Sequence, residues 1–197
     1  MTDQLASLVG SRICHDLISP IGAIGNGVEL LTMSGGGPRS PELSLIADSV
    51  QSTNARIRFF RLAYGAASKN HLISRQDVMS ILSAISQDGR LSYHWSPAED
   101  VSREDVRIVF LLIQCFETAL PLGGHVDIEL NYGRWTACGS GPRVTVDPAL
   151  WRALTDPAQT ADFKPSQIQF ALVTHATADA GRTLSVQHED AKITATF

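Results

Sequence analysis

No apolar run in this chain approaches the roughly 18 residues needed to span a bilayer, so no membrane-spanning helix is expected. Cysteine is scarce. Cys14, Cys115 and Cys138 lie far apart, and an odd count without paired spacing argues against a disulfide framework and against a zinc site. Positive charge is not in surplus: 16 Lys and Arg against 20 Asp and Glu leave a net charge of −4, with a pI near 5.8, which argues against nucleic acid as a partner. The opening residues, MTDQLASLVGSRICHD, have no basic segment, and their apolar residues are spaced rather than contiguous. No signal peptide is read there, and the cytoplasm is the expected location. Internal repeats and low-complexity tracts are also lacking. What is present is a globular composition, 44% hydrophobic and 18% charged over 197 residues, enough for one large domain or two small ones.

The first stretch, from about Thr2 to Met33, reads as one long helix. Leu5, Val9, Ile13, Leu17, Ile21, Ile24, Val28 and Leu31 recur at helical spacing. Thr2 or Asp3 can cap its start. Pro20 removes a backbone hydrogen bond inside the pattern and should kink the helix. Ser34-Gly35-Gly36-Gly37-Pro38 ends it. A second helix runs from Pro41 to about Ala67 with Ile46, Val50, Ile57, Phe60 and Tyr64 as its stripe. Two long helices on a short link make a hairpin, which buries one seam only. Each helix is apolar over a broad face, so something else must cover the pair. A second copy of the chain does so most simply, giving a four-helix bundle by two-fold symmetry. The alternative is that the C-terminal half of the same chain provides the cover.

The pattern changes near residues 68–76, which divides the chain into 1–70 and 71–197. Asp77 to Gly89 reads as a short helix and Leu91 to Trp95 as a strand. Asp100 to Leu120 is a strongly apolar helix, and Val126 to Tyr132 alternates as a strand. Gly133 turns the chain into Trp135 to Cys138, and Arg143 to Val146 is expected to continue the sheet. A short helix starts at Pro148, another runs from Gln167 to Ala180, and Thr183 to His188 with Lys192 to Phe197 close the chain as a hairpin. Helices gathered against a mostly antiparallel sheet make this half α+β. Trp95, Trp135 and Trp151 are expected in its core or at the edge of it. His71, His94, His125, His175 and His188 are isolated, without metal-ligand spacing.

Chemistry concentrates at Ser11-Arg12-Ile13-Cys14-His15-Asp16-Leu17-Ile18-Ser19-Pro20-Ile21-Gly22. At about 100° per residue His15 lies opposite the apolar stripe of the first helix. Ser11, Arg12, Ile18, Ser19, Gly22 and Asn26 share its outer face, and several of them are small. Gly22, Gly25 and Gly27 each cost about 1 kcal/mol in a helix interior, which points to close approach by a partner or a neighbouring helix. Neutral imidazole is a good nucleophile near pH 7, since its ordinary pKa is about 6.5. Asp16 can hold the proton on one ring nitrogen while the other attacks, and Arg12, one turn earlier, can meet phosphoryl oxygens.

Cys14-His15-Asp16-Leu17-Ile18-Ser19-Pro20 resembles the phosphoacceptor box of the dimerisation and phosphotransfer domains of sensor histidine kinases. With Asn26-Gly27-Val28-Glu29-Leu30-Leu31 and Arg58 to Ala67, the chain more closely resembles the ChpT-type histidine phosphotransferases of alphaproteobacteria. The resemblance implies a homodimeric four-helix bundle followed by a degenerate histidine-kinase-ATPase-like α/β sandwich. It also implies the receiver domains of a hybrid histidine kinase and of response regulators as partners, His15 as phosphoacceptor, and Mg²⁺ supplied by the receiver. The kinase ATPase fold needs an asparagine on its first long helix, a following Asp-x-Gly-x-Gly and a Gly-rich lid. Phe110 to Leu120 has no asparagine, with Gln114 and Glu117 the nearest polar residues, and Thr136 to Pro142 has two glycines but no preceding aspartate. ATP is therefore not an expected cofactor. Leu8 and Ile18 are expected to meet the apolar face of a receiver, and Arg56, Arg58 and Arg61 to form a basic cluster that steers it, unless they are simply a solvated face. The rival readings are an ATP-dependent sensor-type kinase module and a non-catalytic scaffold or inhibitor.

Overall fold

The protein is described by a computed structural model covering residues 2–34, 41–67, 71–156 and 163–197. The Gly-rich link at 35–40, the boundary residues 68–70, and the side chains of Thr2 and Asp3 expected to cap the first helix lie outside the described residues. Two long helices, α1 (Thr2–Ser34) and α2 (Pro41–Tyr64), pack along each other. At Gly27 they lie in close contact: a Cβ there would sit 2.6 Å from Ile46 Cγ1. Gly22 and Gly25 have open space instead. One of the three glycines therefore serves helix–helix contact, and the other two leave room on the outer face.

Among the described residues the rest of the chain forms α3 (Arg75–Asp88), α4 (Arg103–Ala119), α5 (Pro148–Ala153), a 3₁₀ turn (Pro165–Gln167) leading into α6 (Ile168–Asp179), and seven strands. The strands β1 (Leu72–Ile73) and β3 (Val101–Ser102) pair as a short antiparallel ladder. The main sheet has the order β2 (Leu91–Trp95), β4 (Gly124–Asn131), β5 (Arg134–Ser140), β7 (Lys192–Thr196), β6 (Ser185–Glu189). Only β2 and β4 run parallel, joined through α4; the other pairs are antiparallel. Val126, Ile128, Trp135, Ala137, Ile193 and Ala195 form the buried face of the sheet against α4 and α6. All three tryptophans are buried, and Trp95 and Trp135 pack with ring centres 5.4 Å apart.

The central element is α4. It is apolar nearly all round, as a helix covered on every side must be, and from Val106 to Phe116 its hydrophobic residues are completely buried, Arg107 and Gln114 aside. It packs on α6, on the sheet and on α2. The α2 contact is one joint between the two parts of the chain. Phe59 stacks on Phe110 at 4.9 Å, and buried Arg103 sends Nη2 to the carbonyl oxygens of Arg61 (2.8 Å) and Gly65 (3.4 Å) at the end of α2. An arginine thus caps the C-terminal carbonyls of a helix from another element.

Element boundaries moved where side chains intervene. Ser74 and Ser102 cap α3 and α4 by accepting from the amides of Asp77 and Asp105, so these helices begin at Arg75 and Arg103 rather than at 77 and 100. The helix α2 stops at Tyr64, short of Ala67. Arg143 to Val146 do not continue the sheet. Instead the amide of Thr145 donates to the carbonyl of Ala119 at 2.8 Å, so this segment satisfies the C-terminus of α4, and Val144 and Val146 lean on the core. Gly139-Ser140-Gly141 is not a free turn. Gly139 and Ser140 belong to β5, where a Cβ at Gly139 would collide with the Phe116 ring at 2.9 Å. The glycine lets the strand lie close on α4.

The cover expected over the hairpin is divided. Leu5, Leu8, Val9, Ile13 and Leu17 on α1 are half-buried against the core built by the C-terminal half. Further along, Ile21 (53% exposed) and Val28 (50%) on α1, and Val50 (41%) and Ile57 (48%) on α2, face solvent.

Candidate functional site

His15 stands on the outer side of α1 with its side chain 85% exposed. Nδ1 lies 3.1 Å from Asp16 Oδ1. Successive residues on a helix diverge by about 100° and do not ordinarily face each other, so this contact depends on where the carboxylate is held. Arg12 holds it: Nε donates to Asp16 Oδ2 at 2.8 Å, one turn along the same face. The Asp16 and Arg12 side chains are 12% and 17% exposed, against the open imidazole. A carboxylate accepts and does not donate, so the Asp16 contact places the ring proton on Nδ1 and leaves the Nε2 lone pair available.

An open groove of about 420 Å³ lies between α1 and α2 beside His15. Ser19, Pro20 and Ala23 line it from α1, and Ser49, Ser52 and Arg56 from α2. Asp16, Ser52 and Arg56 also border a second, smaller cleft of about 50 Å³ leading towards α4. At its inner end, Tyr93 Oη donates to Glu117 Oε1 at 3.2 Å and Tyr64 Oη donates to Gln114 Oε1 at 2.6 Å. Burial pushes the Glu117 carboxyl above the usual range, with the Tyr93 hydrogen bond and the Arg12 and Arg56 charges opposing. Glu117 keeps solvent along the mouth of the cleft, so the effect on stability is smaller than full burial would give. Burial also raises both tyrosines, which remain neutral donors.

Ser11, Ile18 (69% exposed), Ser19, Gly22 and Asn26 are open on the His15 side of the hairpin, and Arg12 is half-buried there. Leu8 is not on that surface; it packs against the core, because the 3₁₀ turn and α6 close over the first turns of α1. Nor do the three arginines of α2 make one cluster. Arg56 and Arg58 are about 200° apart round the helix. Arg56 lines the His15 groove, whereas Arg58 lies on the opposite side and reaches Ser80 Oγ of α3 at 3.3 Å. Arg61 is exposed at the end of α2, where its carbonyl accepts from Arg103. One contact had no sequence signal: Arg12 Nη1 donates to the carbonyl of Ser166, in the 3₁₀ turn, at 3.1 Å. The partners are 154 positions apart, and only the docking of the C-terminal half on α1 brings them together. Among the described residues no three His, Cys, Asp or Glu side chains are grouped to hold a metal ion, and no helix is long and apolar enough to cross a membrane.

Residues 75–192 match the family described as "Histidine phosphotransferase C-terminal domain". The chain is 34% identical over 130 residues to the protein phosphotransferase ChpT of Brucella abortus (strain 2308), a stretch covering 65% of this chain and 61% of that protein. The match thus spans about three-fifths of the relative's length. Among solved structures, a bacterial phosphotransferase superposes with a TM-score of 0.80 over 100% of this chain and 96% of its own, at 26% identity. A histidine kinase of Acinetobacter baumannii, AdeS, aligns over 92% of this chain and 95% of its own at 14% identity and a TM-score of 0.46.

Proposed function

Because the chain belongs to the histidine phosphotransferase family, we propose that it relays a phosphoryl group between receiver domains, from aspartate to His15 to aspartate. The observation that carries this reading is the state of His15, a wide-open imidazole beside a groove with its Nδ1 proton held on a buried-side carboxylate. A phosphorylated receiver docks over Ile18, Ser19 and Gly22 and presents its aspartyl phosphate in line with Nε2. The lone pair of Nε2 forms the P–N bond as the P–O bond to the receiver's aspartate breaks, and that carboxylate leaves. Asp16 shares the Nδ1 proton and so offsets the positive charge that develops on the ring. A second receiver reverses the step. The receiver's own acidic pocket would hold the Mg²⁺, which would supply charge neutralisation of the phosphoryl oxygens there. Exposed Ile18 offers apolar contact beside the site, and Arg56 at the groove offers charge to an acidic receiver surface.

We further propose that residues 71–197 are a degenerate form of the kinase ATPase domain. The absence of an asparagine on α4 supports it, as does the placement of the two polar residues nearest that role. Gln114 is bonded to Tyr64, and the space before Gln114 and Glu117 is about 50 Å³, room for a few waters rather than a nucleotide. The test is a labelling pair. With a phosphorylated receiver as donor, label enters the protein in an acid-labile, base-stable linkage; with ATP and Mg²⁺ alone it does not. Labelling by ATP alone would replace this reading with the kinase one.

We propose a homodimer built on the exposed ends of the hairpin. Ile21 and Val28 are seven residues apart, as are Val50 and Ile57, the spacing of a helical seam. Burying each such side chain contributes about 1.5–3 kcal/mol. The double variant Val50→Glu/Ile57→Glu puts four charges into a two-fold interface, and its dissociation constant is expected to rise by at least about 100-fold, close to 2.7 kcal/mol. Light scattering across a dilution series checks this; a wild-type protein of monomer mass at micromolar concentration would overturn it.

A further inference from the structure

The proposed relay needs His15 held in one tautomer, and the structure extends the support for that tautomer well beyond Asp16. We infer that Arg12 is a positioning residue for His15, and that through it the C-terminal half of the chain sets which ring nitrogen is free. The inference rests on the phosphorelay reading for its kinetic consequence but not for its structural one.

The supporting groups form a continuous series. Buried Gln169, in the first turn of α6, donates from Nε2 to the carbonyl of Ser166 at 3.1 Å and to Thr118 Oγ1 of α4 at 3.3 Å. That carbonyl also accepts from Arg12 Nη1 at 3.1 Å. The turn that carries it is stiffened by Pro165 at its first position and by Gln167, whose Oε1 accepts from the amide of Lys164 at 3.1 Å. Arg12 Nε then holds Asp16 Oδ2, which turns Oδ1 towards His15 Nδ1. The guanidinium is planar, so fixing Nη1 on Ser166 fixes the direction of Nε, and a carboxylate bonded by Nε has one oxygen left for the imidazole.

Each member is placed by the next, and the far end is α4, the most deeply buried helix of the molecule. A surface Arg–Asp pair four residues apart on a helix contributes little on its own and leaves the carboxylate free to turn into water. Here the pair is tied on its arginine side to another element. This arrangement also assigns Arg12 a task other than meeting phosphoryl oxygens: two of its three guanidinium nitrogens are committed to Asp16 and Ser166 before any partner arrives.

The test uses the full chain and the variants Arg12→Gln and Arg12→Lys, with two readouts. Nitrogen chemical shifts of the His15 ring report the tautomer without any phosphoryl donor. Wild type is expected with the proton on Nδ1; Arg12→Gln is expected to shift the equilibrium towards the Nε2–H form that free imidazole prefers. Phosphotransfer from a labelled receiver is expected to lose about 10-fold in kcat with KM within about twofold. Arg12→Lys keeps the charge but reaches only one of the two acceptors, and is expected to fall between. Thermal melts identify any variant that has simply unfolded, and the lysine variant then carries the test. An unchanged tautomer in a folded variant overturns the inference, as does a loss confined to KM, which would make Arg12 a docking residue. Failure of the relay itself appears separately, as wild type that takes no label while its ring still shows the Nδ1–H form.

Discussion

His15→Ala is expected to abolish uptake of label from a phosphorylated receiver while leaving the fold intact. The proposed reaction makes a bond to Nε2, and the alanine variant has no imidazole at that position. Cys14, the adjacent candidate, is exposed but points elsewhere on the helix, and Asp16 is tied to Arg12. Removing an atom that forms the intermediate removes the reaction rather than slowing it, so the expected residual is background. The structural cost is small because the side chain is 85% exposed and its recorded contact is the hydrogen bond to Asp16. Surface changes of this kind alter stability by about 0.5 kcal/mol or less. Asp16→Asn provides the graded comparison: the nucleophile remains but the ring loses its charged acceptor, and a loss of about 10²-fold is expected, within the range of positioned proton-transfer groups. Autoradiography after acid and base treatment, with a melting curve for each variant, measures both. Equal labelling of His15→Ala and wild type would remove the relay assignment and favour the scaffold reading.

Phe110→Ala is expected to be the most damaging single change to the fold. Phe110 is completely buried on α4 and stacks on Phe59 of α2, so its ring joins the hairpin to the sheet-bearing half. Truncating a buried phenylalanine costs about 3–5 kcal/mol from lost transfer energy and the cavity left behind. Total stability is only about 5–15 kcal/mol. In a chain of this size each kcal/mol moves the melting temperature by about 2–4 °C, so a fall of about 10–15 °C is expected. Phe110→Leu keeps most of the volume and should cost far less. A loss below about 1 kcal/mol for the alanine variant would mean that the stack does not bridge the two parts. Denaturant titration followed by tryptophan fluorescence is well suited, since Trp95, Trp135 and Trp151 all lie in the same core.

The long elements were readable because each has a strong period. The stripe on α1 placed His15 opposite the buried side, and the strongly apolar run from Asp100 to Leu120 was readable as a helix, which the structure places at the centre of the core. Gly133 was readable as a turn, and it adopts φ 77° beside Tyr132 at φ 52°, the pair of positive values that a two-residue hairpin requires. Two-residue strands such as β1 and β3 carry no period and could not be seen. Leu8 was misplaced because a helical wheel shows which face is apolar but not which neighbour reaches it. The arginine cluster failed on helical geometry: nearness in sequence between Arg56 and Arg58 means opposite sides of α2. Arg12 was placed near the site, but its contact with Ser166 was not readable, since a backbone carbonyl 154 positions away leaves no trace in composition or spacing.

Arg103 has a consequence for how a transfer cycle can proceed. Its guanidinium moors the end of α2 to the base of α4, and Arg12 moors the early turns of α1 to the 3₁₀ turn. Both anchorages lie on the same half of the hairpin as His15, so the histidine is tied to the main body at two points. In the proposed relay, the exchange of one receiver for the next is then expected to follow their encounter and departure rates.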